Sequence, residues 1–123
     1  MKIGIAIPNF GKFASKENIT RIALAAQEHE FDSLWLSDHI VMPNSHKGFG
    51  NNFYEPVATL AYLSSITQTI TLGTSIIVLP YRNPVALAKS IATIDQLSDG
   101  RLIMGVGAGW LKEEFHALGA DYE

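Results

Sequence analysis

Four short apolar runs, whose starts are about 30 to 40 residues apart, limit the folds open to this chain of 123 residues. The runs are IGIAI (3–7), SLWLS (33–37), ITLGTSIIVL (70–79) and RLIMGVG (101–107). Each is almost continuously apolar rather than alternating, as is typical of strands buried on both faces of a parallel sheet. The sequence therefore predicts four parallel strands.

Helical patterns occupy the segments between these runs. In the first segment, apolar residues recur at the i, i+3, i+4, i+7 spacing of one helix face, namely Ile19, Ile22, Ala23 and Ala26. A second helix is predicted over about 56–67. Asn83-Pro84 predicts an N-cap followed by proline at the first helical position, and Asp99-Gly100 predicts a helix end with glycine as the left-handed C′ residue. A fourth helix is predicted to begin near Leu111.

Strict alternation of strands and helices is compatible with two architectures, an open doubly wound sheet and a (β/α)8 barrel. A four-stranded open domain would be complete at this length. A full barrel needs roughly 250 residues, so this chain would form about half of one. In both architectures ligands bind at the carboxyl ends of the strands.

Polar residues and glycines follow the strands at those ends. His39 is the strongest catalytic candidate, because an imidazole titrates near neutrality and can pass a proton at a strand end. Its neighbour Asp38 would point to the opposite face of a continuing strand, so the two need not form a dyad. Trp35, inside the second strand, is predicted to be a core residue.

Two other motifs have simpler interpretations than a ligand site. In GVGAGW (105–110) a dinucleotide fingerprint would need its third glycine at the position of Trp110, and no Walker motif occurs in the chain. Glu113-x-x-His116 has the spacing of a carboxylate-bridged metal site but lacks a second copy, which favours a solvated helix face and no metal site. The long loop over 42–54 is predicted to be functional or mobile.

The composition limits the classes of molecule that this chain is expected to bind. The net charge of -3 comes from scattered residues, which provides no basic patch for nucleic acid or a membrane surface. There is no cysteine, hence no disulfide, thiolate nucleophile or cysteine metal site. The N-terminal apolar run is too short to span a bilayer and lacks a signal-cleavage pattern. A small-molecule substrate and a cytoplasmic location are therefore expected.

Several separate segments closely resemble the N-terminal half of the luciferase-like oxidoreductases, particularly the branch that uses the deazaflavin coenzyme F420. These segments are SLWLSDHI, LGTSI, RNPVALAKSIATIDQLSDGRLIMGVGAGW and EEFHALG, and the resemblance covers essentially the whole chain. It implies an α/β fold in which residues 1–123 are one domain, a partial TIM (β/α)8 barrel of about the first four βα units. It also implies an enzyme that transfers a hydride to or from coenzyme F420 on a small organic substrate.

The resemblance also implies roles for single residues. His39 would handle a proton beside the reactive ring, and Asp38 would contact the coenzyme. Ser75 and Ile76 match a pair joined by a cis non-proline peptide, which forms a bulge against the back of the ring. The ring pocket would be lined by Gly107, Ala108, Gly109 and Trp110, with the missing Cβ atoms letting backbone approach a flat ligand.

Two departures from the sugar-oxidising members of that family argue against sugar oxidation. Trp110 stands where those members have an acidic residue, and Pro43 stands where they have tryptophan. Two alternatives stay open. One is an FMN-dependent monooxygenase of the luciferase or alkanesulfonate type; the other is a non-enzymatic half barrel that serves as an interaction module. The two unpaired strand edges of a half barrel also predict a homodimer or other self-association.

Overall fold

A computed structural model describes residues 1–43, 46, 50 and 52–122. Strands and helices alternate along the chain, as the sequence predicts. In order they are β1 (Gly4–Ala6), α1 (Lys16–Glu28), β2 (Ser33–Leu36), α2 (Pro56–Ile66), β3 (Thr71–Val78), a 3-10 turn (Leu79–Tyr81), α3 (Pro84–Leu97), β4 (Leu102–Gly107) and α4 (Lys112–Leu118).

The four strands form one parallel sheet in the order β1-β2-β3-β4. Each strand therefore pairs with the strand that follows it in the chain, and a helix makes each crossover. All four carboxyl ends lie at the same edge of the sheet. This confirms the predicted parallel sheet and places the residues that follow the strands near one another.

In the part of the chain that the structure describes, helices cover one face of the sheet. Side chains from β2 and β3 on that face pack against apolar residues of the helices. The buried members of this cluster are Ile7, Ile19, Ala23, Ala26, Leu34, Leu36, Leu60, Leu63, Ile70, Leu72 and Ile94. The helical spacing of α1 is confirmed, because Ile19, Ala23 and Ala26 are all buried.

The prediction that both faces of the strands are buried is wrong for this chain. Among the described residues none covers the second face of the sheet, and Ile103 there is 50% exposed. Trp35, predicted to be core, lies on this face and is only half-buried. Its ring covers Gly4 and Gly73, where an added Cβ would approach the indole to 2.4 and 2.6 Å. A continuous apolar run thus predicts a strand here, but it does not show that both faces of the strand are buried.

The ends of α3 match the sequence prediction closely. The Asn83 side chain accepts hydrogen bonds from the N–H groups of Val85 and Ala86, at 3.0 and 3.1 Å, as an N-cap does. At the other end the left-handed conformation begins one residue earlier than predicted. Asp99 already has φ 55°, and Gly100 follows with φ 75°.

Arg101 joins several elements at the amino end of the sheet. Its guanidinium donates to the carbonyl oxygens of Ser64, Thr67 and Ile70, and its Nε donates to that of Ser98. Burial lowers the pKa of this arginine. Arg101 thus ties the end of α2 to the starts of β3 and β4, at the end of the strands opposite to His39.

In the described part of the chain, no helix combines the length and the apolar character needed to cross a membrane.

Candidate active site

A cavity of about 360 Å³ lies at the carboxyl ends of β2, β3 and β4. All eight residues predicted to form the site line this cavity together: Asp38, His39, Ser75, Ile76, Gly107, Ala108, Gly109 and Trp110. Ser37, Val78 and Tyr81 complete the lining. Three segments that are far apart in sequence meet here because parallel strands end at a common edge.

One wall of the cavity is a bulge in β3. The peptide bond between Ser75 and Ile76 is cis, and the pairing of β3 with β4 shifts register between Thr74 and Ile77. The Ile76 side chain lies across β4, where its Cδ1 would be 2.8 Å from a Cβ on Gly107. The missing side chain at Gly107 therefore makes room for the bulge of the protein itself.

His39 is held from behind by a buried carboxylate. Its Nδ1 lies 2.7 Å from Oε2 of Glu114, whose side chain is fully buried, while His39 itself is 13% exposed. Glu114 also accepts hydrogen bonds from the N–H groups of Ile40 and Val41, at 2.5 and 2.9 Å, and from the Tyr81 hydroxyl at 3.0 Å. One side chain thus fixes both the imidazole and the backbone that follows it.

The phenol of Tyr81 stays protonated in this setting. Burial raises the pKa of Tyr81, and the hydrogen bond to Glu114 raises it further. The hydroxyl therefore remains a hydrogen-bond donor to the carboxylate throughout the neutral range.

Sequence reasoning missed Glu114, although a signal was present. Leu111, Glu114, Phe115 and Leu118 follow the i, i+3, i+4, i+7 spacing of one helix face. Leu111 and Phe115 are buried, so the same face carries Glu114 inward. In contrast, Glu113 and His116 are exposed, which confirms the solvated helix face predicted for that pair.

Asp38 has a separate partner, so it forms no dyad with His39. Its carboxylate accepts from the Val78 N–H at 2.8 Å and from both terminal nitrogens of Arg82, at 2.5 and 2.8 Å. Arg82 also reaches Glu55, which caps α2, at 2.7 Å. Burial lowers the pKa of Arg82, but the two carboxylates outweigh that effect and raise it overall. The predicted contact of Asp38 with a coenzyme stays a prediction.

Aromatic rings pack around His39. The imidazole of His39 packs edge-on against Phe53 and Trp110, with ring centroids 5.2 and 6.2 Å apart. Phe53 stacks in turn on Phe10 at 5.1 Å. The loop predicted to be functional over 42–54 contacts His39 through Phe53, whereas positions 44, 45, 47–49 and 51 lie outside the described residues. Trp110 is 55% exposed and borders the mouth of the cavity.

Among the residues that the structure describes, no cluster of three or more histidine, aspartate or glutamate side chains could hold a metal ion. A second, larger depression of about 640 Å³ lies at the opposite, amino end of the sheet, between Lys2, Gln27, Asp32 and Ile103. It contains none of the predicted site residues.

Comparison with known families matches residues 1–123 to the family described as luciferase-like monooxygenase. The chain belongs to this family. The match extends along the whole sequence, including β3 with its bulge and the GVGAGW segment.

Members of the luciferase-like family that resemble this chain differ in their chemistry. An F420-dependent glucose-6-phosphate dehydrogenase from Amycolatopsis mediterranei is 34% identical over 109 residues, covering 85% of this chain and 31% of that protein. The alkanal monooxygenase alpha chain of Photorhabdus laumondii is 28% identical over 114 residues, covering 93% of this chain and 30% of that protein. Luciferase-like relatives thus include both dehydrogenases and oxygenases.

A solved structure shows the same fold. The oxygenating constituent of 3,6-diketocamphane monooxygenase from Pseudomonas putida, in complex with FMN, superposes with a TM-score of 0.80 at 22% identity. The superposition covers 97% of this chain and 32% of that one. The chain thus spans about a third of the length of the luciferase-like proteins it matches, and its four βα units form a partial (β/α)8 barrel.

Proposed function

We propose that this chain forms the ring-binding part of an oxidoreductase that transfers a hydride to or from coenzyme F420 on a small organic substrate. The observation that carries the proposal is a single cavity lined both by an imidazole and by a backbone bulge. The imidazole of His39 supplies a proton-transfer group, and the bulge at Ser75 and Ile76 supplies a rigid wall.

The residues present fit a flat heterocyclic ring. The cavity volume of about 360 Å³ lies in the range of small-molecule sites, roughly 300 to 1,000 Å³. Apolar and backbone groups dominate the walls, because Ile76 lies against Gly107 on one side and Trp110 borders the mouth. F420, when bound, supplies the carbon that takes up or releases the hydride.

This chain's own residues then have distinct tasks. His39 takes up or releases the proton that accompanies hydride transfer, a role worth about 10²- to 10⁴-fold in rate for a positioned acid or base. The bulge limits how the ring can tilt, and Trp110 shields one side from water. Asp38 and Glu114 already accept several hydrogen bonds each, and Trp110 stands in place of an acid, which disfavours sugar oxidation.

Residues 1–123 are proposed to be the N-terminal half of the barrel. Phosphate sites in such barrels are often built by the loops after the seventh and eighth strands. The coenzyme's phosphate groups would then be held by a part of the barrel other than this chain, while the ring lies against β3 and β4.

Equilibrium titration with oxidised F420 and with FMN, each followed by its own fluorescence, tests the coenzyme assignment. F420 is expected to bind more tightly than FMN. The Ile76→Ala variant should weaken binding, whereas Ile103→Ala, in the depression at the opposite end of the sheet, should leave it unchanged. Oxygen-coupled turnover with FMN alone would overturn the F420 assignment.

An FMN-dependent monooxygenase is the second candidate. It is favoured by the likeness to the Photorhabdus alkanal monooxygenase alpha chain, which covers 93% of this chain. Oxygen consumption coupled to reduced FMN, in the presence of an aldehyde or alkanesulfonate, separates this candidate from the first.

A non-enzymatic half barrel is the third candidate, favoured by the open face of the sheet around Trp35 and Ile103. In the described structure β1 and β4 each pair on one side only, and such edges promote association. Size-exclusion chromatography with light scattering tests it. A dimer without coenzyme binding would favour this candidate, whereas a folded monomer that binds coenzyme would eliminate it.

A further inference from the structure

The buried carboxylate of Glu114 determines which nitrogen of His39 carries a proton. We infer that Glu114 is a positioning residue that holds the neutral His39 ring with its proton on Nδ1, leaving Nε2 as the atom that exchanges protons with the cavity. The tautomer follows from the contacts of Glu114 alone. Its consequence for catalysis rests on the proposed function.

The hydrogen bonds around Glu114 leave one consistent arrangement. Oε1 accepts from the backbone N–H groups of Ile40 and Val41, which can only donate. Oε2 accepts from the hydroxyl of Tyr81 and lies 2.7 Å from Nδ1 of His39. An ionised carboxylate can only accept hydrogen bonds, so Nδ1 is the donor in this contact and the proton resides on the ring.

The same contacts fix the orientation of the ring. Glu114 is fully buried and bound to the two residues that directly follow His39, so the carboxylate and the imidazole move as one unit. Edge-on packing against Phe53 and Trp110 restrains the ring from the sides. Since Nδ1 is taken by Glu114, the ring can exchange a proton with a ligand in the cavity only through Nε2.

An amide at position 114 should reverse the tautomer. In the Glu114→Gln variant Oε1 can still accept from Ile40 and Val41, while the NH₂ group donates to Nδ1 of His39 and to the oxygen of Tyr81. The neutral ring must then carry its proton on Nε2, the atom needed for exchange. The reversal occurs without loss of volume, so it differs from a simple packing defect.

Long-range ¹H–¹⁵N correlation of the histidine rings measures the tautomer directly and requires no coenzyme. The spectra are recorded on the full chain from about pH 6 to pH 10, with His39→Asn used to assign the signals. In the wild type, the neutral ring of His39 is expected to carry its proton on Nδ1; in Glu114→Gln, Nδ1 is expected to be the unprotonated nitrogen.

Two variants serve as controls. Glu113→Gln changes the exposed neighbour on the same helix and should leave the ring signals of His39 unchanged. Tyr81→Phe removes one donor to Oε2 but keeps the carboxylate, so the wild-type tautomer should persist. A wild-type ring with its proton on Nε2 overturns the inference even where Glu114→Gln does not fold.

The coenzyme result is independent of the tautomer result. A ring with the expected tautomer in a protein that binds neither F420 nor FMN would support the positioning role while rejecting the proposed function. Coenzyme binding with the opposite tautomer would reject the positioning role alone.

Discussion

The Cδ1 atom of Ile76 lies 2.8 Å from the point where a Cβ on Gly107 would stand. Substitution of Gly107 by alanine is therefore expected to push Ile76 towards the cavity. Overpacking of this kind costs about 1 to 3 kcal/mol, and the displaced side chain should also weaken coenzyme binding. Chemical denaturation and fluorescence titration of the same preparation measure both effects.

Gly105→Ala is the matched comparison for that variant. A Cβ there would lie 2.2 Å from the carbonyl oxygen of Thr74, and backbone cannot move aside as a side-chain end can. Gly105→Ala should therefore lose more stability than Gly107→Ala. Equal stability of the two variants would contradict these two contacts, and unchanged coenzyme binding by Gly107→Ala would contradict a coenzyme lying against Ile76.

Replacement of His39 by alanine should lower the turnover of an active preparation by about 10²- to 10⁴-fold, the usual contribution of a positioned acid or base. Steady-state rates with reduced coenzyme measure the effect. His116→Ala, on the exposed side of α4, is the control and should retain full activity. Unchanged turnover in His39→Ala would remove this histidine from the mechanism.

Removal of the Arg82 side chain should destabilise the fold strongly. In Arg82→Ala the buried carboxylate of Asp38 loses its charged partner, and breaking a buried ion pair typically costs about 3 to 5 kcal/mol. Glu55→Gln alters the exposed arm of the same network and should change stability by less than about 1 kcal/mol. Urea denaturation of both variants provides the comparison.

The raised pKa of Tyr81 predicts that the folded protein loses stability at alkaline pH. Its pKa is raised in the folded state, chiefly by burial, so the native protein holds the phenol proton more tightly than the unfolded chain does. The contribution is complete below the ordinary tyrosine pKa of about 10 and declines as the pH rises above it, by up to about 1.4 kcal/mol per pH unit.

The comparison of wild type with Tyr81→Phe isolates this contribution from that of the lysines, which titrate in the same range. Unfolding free energies measured from about pH 8 to pH 11 should fall more steeply for the wild type. Parallel curves for the two proteins would show that the pKa of Tyr81 is not higher in the folded protein than in the unfolded chain.

Local sequence signals predict the elements of this fold well. Asn83 and Pro84 mark the start of α3 because an N-cap and a first-turn proline act within a few residues of one another. The location of the site can also be predicted, since the residues that follow parallel strands all lie at the carboxyl end of the sheet. His39 and the GVGAGW segment are therefore expected to lie together on the strength of the amino-acid sequence alone.

Contacts between distant segments are harder to predict. Glu114 is 75 positions from His39, and Arg82 is 44 from Asp38. Neither pairing leaves a spacing pattern, because each depends on how helices and loops dock on the sheet. The prediction for Trp35 is wrong for a related reason. Apolar character indicates a strand, but only the packing of other elements determines whether its second face is covered.

The register shift in β3 changes which side of the sheet the last side chains of that strand face. Thr74 is in register with Met104, so an uninterrupted strand would place Ile76 opposite Val106. After the bulge it is Ile77 that is in register with Val106. Because side chains alternate with a period of two, residues after the bulge face the opposite side from that of an uninterrupted strand. Val78 therefore lines the cavity, and its N–H meets Asp38. The same sequence paired with β4 without this bulge would turn Val78 away from the cavity, even though every strand stayed in place.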